Sequence, residues 1–176
     1  QRVKQRVAAH QAVRSEHGSR AVERHLGVCL DLCHLAVMGE DPLVAMAQFA
    51  AARVPVAKVQ VSACLEARGP GGLARLLGWD EPRYLHQTVG ILPGGARVRA
   101  LDLDEVRRRQ AEFAAADVVR THFHVPVFWD EDGDLGSTRK SVTDTLRAMA
   151  TIRLPLLEVE TYTWHVLPGF SGRDED

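Results

Sequence analysis

Asp31, Cys33 and His34 follow the apolar run Gly27-Val28-Cys29-Leu30 and bring a carboxylate, a thiol and an imidazole to the end of what reads as a buried strand. Unpaired charge is costly to bury, so such groups stay at a strand end when they bind metal, pair with one another or face a water-filled pocket. All three readings place a functional face at this point and require that other strands deliver matching groups.

The elements that would position them alternate along the chain. Residues 2–25 read as a helix interrupted near Gly18 and Ser19, and the first strand runs from Leu26 to Cys33. Asp41 followed by Pro42 is an N-cap with proline at the first helical position, opening a helix that ends near Arg53. The second strand covers Val56 to Ala63. Arg68 to Leu101 carries Gly69-Pro70-Gly71-Gly72 and Pro93-Gly94-Gly95 and reads as turns and loops with a short helix at Leu73 to Leu77. A helix from Asp104 to Ala115 precedes a third strand, Asp117 to Phe128, and a polar loop from Trp129 to Lys140. Ser141 with Asp144 resembles a capping box for a helix reaching Ala150, followed by a fourth strand, Leu154 to Thr163, and a polar tail, Gly169 to Asp176.

Strands separated by helices imply parallel pairing and an α/β fold. Alternation then puts Cys29 with Asp31, Lys58 with Gln60 and Ser62, His122 with His124, and Glu158 with Glu160 on single faces of their strands. A polar face on every strand suits a barrel, whose inward residues reach a site at its C-terminal mouth, better than an open doubly wound sheet. The expectation is four parallel strands alternating with helices, the C-terminal half of a TIM (β/α)8 barrel, in one partial domain spanning residues 1–176. Half a barrel exposes sheet edges, so its missing N-terminal half, a partner chain or self-association would have to cover them.

The segment Asp31-Leu32-Cys33-His34 resembles the Asp-x-Cys-His strand of the xylose-isomerase-like TIM barrels, which include sugar-phosphate isomerases and epimerases and endonuclease IV. Leu157-Glu158-Val159-Glu160-Thr161 looks like that superfamily's last strand, where a metal-binding glutamate precedes threonine. Tyr84-Leu85-His86-Gln87-Thr88-Val89-Gly90, Thr121-His122-Phe123-His124-Val125-Pro126 and Glu160-Thr161-Tyr162-Thr163-Trp164-His165 resemble the EboE metabolite-traffic family within it. The resemblance implies a divalent ion, zinc, manganese or iron, held by Asp31, Glu160 and one or two of His34, His86, His122 and His124. It also implies a small polar metabolite as partner, with Glu160 or Glu158 as the candidate catalytic base for proton transfer beside a carbonyl. A metal-dependent isomerase or epimerase-like enzyme is one expectation, and a non-catalytic metabolite binding or trafficking protein is the other. Gln60 stands where the wider superfamily often carries a metal-binding histidine, and an amide oxygen is a poorer zinc or manganese ligand than imidazole.

The residues also carry blander readings: His122 and His124 as hydrogen-bonded mouth histidines, His86 as a solvated loop side chain, and Glu158 as a structural partner of Lys58 or an arginine. His10, His17 and His25 read as surface residues of the Arg-rich first helix. Cys29 and Cys33, about 13 Å apart if both lie on one strand, are beyond disulfide reach and read as small core side chains. Asp130-Glu131-Asp132-Gly133-Asp134 is only superficially a calcium loop, since the glutamate expected at its twelfth position is missing.

With 176 residues, 45% of them apolar, and a net charge of -1, the chain can bury a sizeable core and presents no strong field for nucleic acid or an anionic membrane. It contains no apolar run near the roughly 20 residues that span a bilayer. The default expectation is a cytoplasmic protein, in keeping with three cysteines and no CxxC pair.

Overall fold

The computed structural model describes residues 2–79, 82–150 and 155–162. Helices α1 (Arg2–His17) and α2 (Ser19–His25) meet at Gly18, whose φ of 81° breaks the helical path where the sequence expects an interruption. His10, read as a surface residue, is buried instead.

The segment that follows departs from its expected form. Strand β1 (Val28–Asp31) stops at Asp31, and Leu32–Met38 forms helix α3. Asp31 is the N-cap: its Oδ1 accepts from the His34 backbone N–H at 3.1 Å, satisfying one of the helix's free donors. Gly39 closes α3 with φ 64°, a left-handed conformation that glycine adopts without Cβ strain. Cys33 and His34 therefore occupy the first turn of a helix, not a strand end. The expected N-cap at Asp41 holds for helix α4 (Pro42–Ala51), where Asp41 Oδ1 accepts from Leu43 N at 2.8 Å and Val44 N at 3.0 Å.

Strand β2 (Val56–Val61) gives way at Ser62 to strand β3 (Ala63–Ala67), so the expected single strand is two. Helix α5 (Gly69–Leu77) follows. The stretch expected to be loop contains strands β4 (Thr88–Ile91) and β5 (Arg97–Ala100), joined through a short 3-10 turn at Pro93–Gly95. Helices α6 (Leu103–Arg108) and α7 (Gln110–Ala114) lead to strand β6 (Val118–Val125). The short strands β7 (Glu131–Asp132) and β8 (Leu135–Ser137) turn at Gly133, and helix α8 (Arg139–Met149) precedes strand β9 (Leu156–Val159). The tail Gly169 to Asp176 and the motif residues Thr163, Trp164 and His165 lie outside the described residues.

Among the described residues the strands form two sheets. One is parallel, in the order β1-β2-β9, with Asp31, Gln60 and Glu158 in register across it. The other is antiparallel, in the order β5-β4-β6-β3-β8-β7. This overturns the expectation of half a TIM barrel with four parallel strands. The third expected strand, β6, pairs antiparallel with β3 and β4. Strands β4 and β5 are linked by a tight turn of a kind that antiparallel neighbours accept and parallel ones cannot. Ser62 marks the point where the chain leaves the parallel sheet for the antiparallel one.

One apolar core underlies both sheets, with Leu30, Phe49, Val59, Leu65, Phe123 and Met149 buried in it. Among the described residues no helix is long and apolar enough to cross a membrane.

Candidate metal centre

Three stretches distant in sequence converge on one cluster. Asp31 arrives from the end of β1, and His34 from the first turn of α3 that Asp31 caps. His122 and His124 project from β6 on one side, while Phe123 between them is fully buried in the core, as strand alternation requires. Glu160 follows β9; its backbone N–H donates to the Val61 carbonyl at 3.2 Å, and its carboxylate accepts from the Gln60 amide. Thr161 Oγ1 donates to the His124 carbonyl at 2.7 Å, tying the end of the parallel sheet to β6.

The polar atoms are close enough to share an ion. His122 Nε2 and His124 Nε2 are 2.8 Å apart, and the His34 and His122 ring centroids are separated by 4.0 Å. Asp31 Oδ2 lies 3.5 Å from His34 Nε2 and 3.7 Å from His124 Nε2, while Glu160 Oε1 lies 3.7 Å from His124 Nδ1. Three overlapping groups each keep their donor atoms within 4.8 Å of one another: Asp31, His34 and His122; Asp31, His124 and Glu160; and Cys33, His122 and His124. These buried or half-buried imidazoles, carboxylates and a thiol form groupings that could bind a metal.

The electrostatics suit that use. Burial lowers the His122 pKa to about 3, helped by the adjacent His34 and His124. Burial also lowers His124, to about 4, against an opposing pull from Asp31. Both rings are thus neutral at neutral pH, the form in which imidazole ligates. Burial, then the charges of Asp31 and Glu158, raise the Glu160 pKa. Two carboxyl groups meeting at one buried point repel each other when ionised, and a cation between them relieves that repulsion.

The remaining predicted residues lie elsewhere. His86 is buried with its ring stacked on Phe123 at 4.0 Å; its backbone N–H donates to Asp102 Oδ1 at 3.1 Å, and its Nδ1 lies 3.7 Å from the same oxygen. It belongs to none of the three metal groupings. Glu158 is half exposed and accepts from Lys58 Nζ at 2.7 Å. In the acidic loop Asp132 pairs with Arg75, and Asp130 with Arg139 at 3.1 Å.

Three further residues at the site are not among the expected ligands or bases. Ser62 Oγ donates to Asp31 Oδ1 at 2.9 Å and accepts from the Cys33 backbone N–H at 3.0 Å. The alternation of polar residues Lys58, Gln60 and Ser62 was the available signal. Cys33, named beside Asp31 and His34 and read as a small core side chain, is fully buried and belongs to one of the metal groupings. Tyr162 packs its ring 4.8 Å from that of His124 and 4.7 Å from that of Tyr84.

Compared with protein-family models, with curated proteins and with solved structures, the chain matches none.

Proposed function

We propose that the chain is a metal-dependent enzyme of the isomerase or epimerase kind, acting on a small polar metabolite. Asp31, His34, His122, His124 and Glu160 would hold zinc, manganese or iron. The observation carrying this reading is the convergence of two carboxylates and three imidazoles from β1, α3, β6 and the end of β9. Mixed oxygen and nitrogen donors match those ions better than magnesium or calcium, which favour oxygen alone. The motifs through which the sequence resembles xylose-isomerase-like proteins, Asp31 to His34 and Glu160-Thr161, are the ones that meet here.

When bound, a divalent ion supplies Lewis-acid polarisation of a carbonyl or activation of water. The protein's own groups do the rest. Ser62 and the α3 N-terminus orient Asp31, and Gln60 orients Glu160. Glu160 is about one-third exposed, so it would be the ligand able to leave the ion and take and return a proton beside a carbonyl, while Asp31 stays held by Ser62 and the α3 N-terminus.

Metal analysis of the purified protein, with Asp31→Ala and Glu160→Ala alongside, tests the centre. Near-stoichiometric zinc, manganese or iron in the wild type and loss of most of it in both variants is the expected result; full metal content in both would sink the proposal. Turnover is tested separately against a panel of aldoses and ketoses.

The hold of Gln60 on Glu160 favours a second reading, metabolite binding or carriage without turnover, because a carboxylate fixed by an amide is a better ligand than a mobile base. A metal-loaded protein that binds a sugar of the panel but exchanges no carbon-bound hydrogen with deuterated solvent would establish that reading over the first.

A further inference from the structure

Cys33 is the second residue of α3, between the capping Asp31 and His34, and is fully buried. Its backbone N–H is fixed on Ser62 Oγ, and its Sγ lies 3.7 Å from the carbonyl oxygen of Phe123, the residue between the two β6 histidines. Sγ and one ring nitrogen each of His122 and His124 fall within 4.8 Å of one another, the bound that also holds for the two carboxylate-containing groupings. Tetrahedral zinc, with bonds of about 2.0–2.1 Å to nitrogen and about 2.3 Å to sulfur, sets its donors roughly 3.3–3.6 Å apart. Side-chain rotations that draw these atoms together by up to about 1.2–1.5 Å would therefore complete a sulfur and nitrogen triad.

We propose that Cys33 is a thiolate ligand of the metal centre together with His122 and His124, and that the resident ion is thiophilic, zinc in preference to manganese. The inference rests on the metal reading above and deepens it by naming the sulfur donor and the class of ion. Soft thiolate ligands select zinc, whereas carboxylate and water suit manganese. On binding, a sulfur–metal bond forms and the thiol proton leaves to solvent. The Cys33 thiol donates to the Phe123 carbonyl at 3.7 Å, a bond given up on ionisation, and the other two thiols are donors as well. Cys64 donates to the carbonyls of Leu65 at 3.2 Å and Thr121 at 3.3 Å, while the exposed Cys29 donates to Gln60 Oε1 at 3.5 Å. Neither belongs to a metal grouping among the described residues.

Cobalt(II) titrated into the metal-free full chain is the test, because it reports thiolate ligation by a sulfur-to-cobalt charge-transfer band in the near ultraviolet, separate from the visible ligand-field bands. The expected result is both sets of bands in the wild type, loss of the charge-transfer band in Cys33→Ser, and its retention in Cys64→Ser and Cys29→Ser. Ligand-field bands without the charge-transfer band in the wild type would overturn the sulfur ligand while leaving the oxygen and nitrogen centre standing. Absence of any cobalt binding would overturn both. A charge-transfer band that survives in Cys33→Ser, or disappears in Cys29→Ser or Cys64→Ser, assigns the sulfur elsewhere and also overturns the proposal. Where Cys33→Ser fails to fold, a wild-type charge-transfer band retained in both Cys29→Ser and Cys64→Ser supports Cys33 by elimination, and its loss in either overturns the proposal.

Discussion

Ser62 Oγ donates to Asp31 Oδ1 at 2.9 Å, joining the residue where β2 passes into β3 to the carboxylate that ends β1 and caps α3. The same oxygen accepts from the Cys33 backbone N–H, so one hydroxyl fixes both the acid and the first turn of the helix beside it. Ser62→Ala leaves a buried N–H without its acceptor and removes one of the two donors to Asp31 Oδ1. A stability loss of about 1–3 kcal/mol in urea denaturation is expected. If the centre binds metal, its affinity should also fall by about 10–100-fold, the usual cost of removing an outer partner of a ligand. An unchanged midpoint and unchanged metal affinity would show that the helix N-terminus alone positions Asp31.

Metal-free protein should lose stability on acidification before ordinary carboxylates titrate. Burial holds His122 at about 3 and His124 at about 4, whereas an unfolded-chain histidine titrates near about 6.5. Between those values the unfolded chain binds protons that the folded chain refuses. The contribution of the two rings is therefore full above about 6.5 and is lost as the pH falls towards about 3, by at most about 1.4 kcal/mol per pH unit for each ring. Glu160 acts in the opposite sense: its raised pKa contributes stability below the ordinary carboxylate pKa that is lost as the pH rises. Urea midpoints measured across this range with chelator present should slope downward on acidification, and the slope should flatten in a His122→Gln/His124→Gln double variant. An equal slope in that variant would place the titration in other groups.

Glu66 faces Arg120 across the β3–β6 pair and is buried, with Oε1 accepting from Arg120 Nε at 2.8 Å and Oε2 from Arg68 Nη2 at 2.9 Å. Arg120 also donates to the Ala36 carbonyl at 3.0 Å, tying β6 to α3 and hence to the histidine-bearing side of the cluster. Glu66→Ala strands a guanidinium in a largely buried position and is expected to cost about 3 kcal/mol. Glu66→Ala/Arg120→Met should recover part of that loss. A single-variant cost below about 1 kcal/mol would place the pair with solvent-exposed ion pairs.

The residues that meet in the candidate cluster were more legible in the sequence than the architecture around them. Asp31, His122, His124 and Glu160 stand out because each is a polar group alternating with apolar residues, and strand parity survives whichever way neighbouring strands run, while His34 stands out only as an imidazole close after Asp31. Pairing direction is not encoded in that parity. The run Leu32-Cys33-His34-Leu35-Ala36-Val37-Met38 is apolar enough to pass for strand or helix, and only the capping Asp31 with Gly39 beyond its end marks the helix. The Gly and Pro residues between Arg68 and Leu101 suggested loop, yet Pro93-Gly94-Gly95 between the short runs Thr88–Ile91 and Arg97–Ala100 is the sign of a hairpin. Missing that hairpin left β6 without its antiparallel neighbour and made a parallel barrel the natural reading. His86 carried a ligand reading and a solvated-loop reading, and the second fails because its ring is buried against Phe123.

Gly90 gives that hairpin a measurable consequence. It lies in the middle of β4 opposite Val98, and a Cβ there would meet Val98 Cγ1 at 2.7 Å, with Ala116 Cβ and Phe113 Cδ1 each at 3.2 Å. The constraint is steric, since the closest contact is shorter than real Cβ atoms tolerate and its partner is a stiff β-branched side chain. Gly90→Ala overpacks the junction of β4, β5 and α7 and should cost about 1–3 kcal/mol. Removing the obstructing methyls tests the cause. Gly90→Ala/Val98→Ala should be less destabilised than the sum of its single variants, the non-additivity expected of residues in direct contact. If the two effects simply add in urea denaturation, Gly90 is not held small by Val98, and the β4–β5 pairing that places them opposite each other is in error.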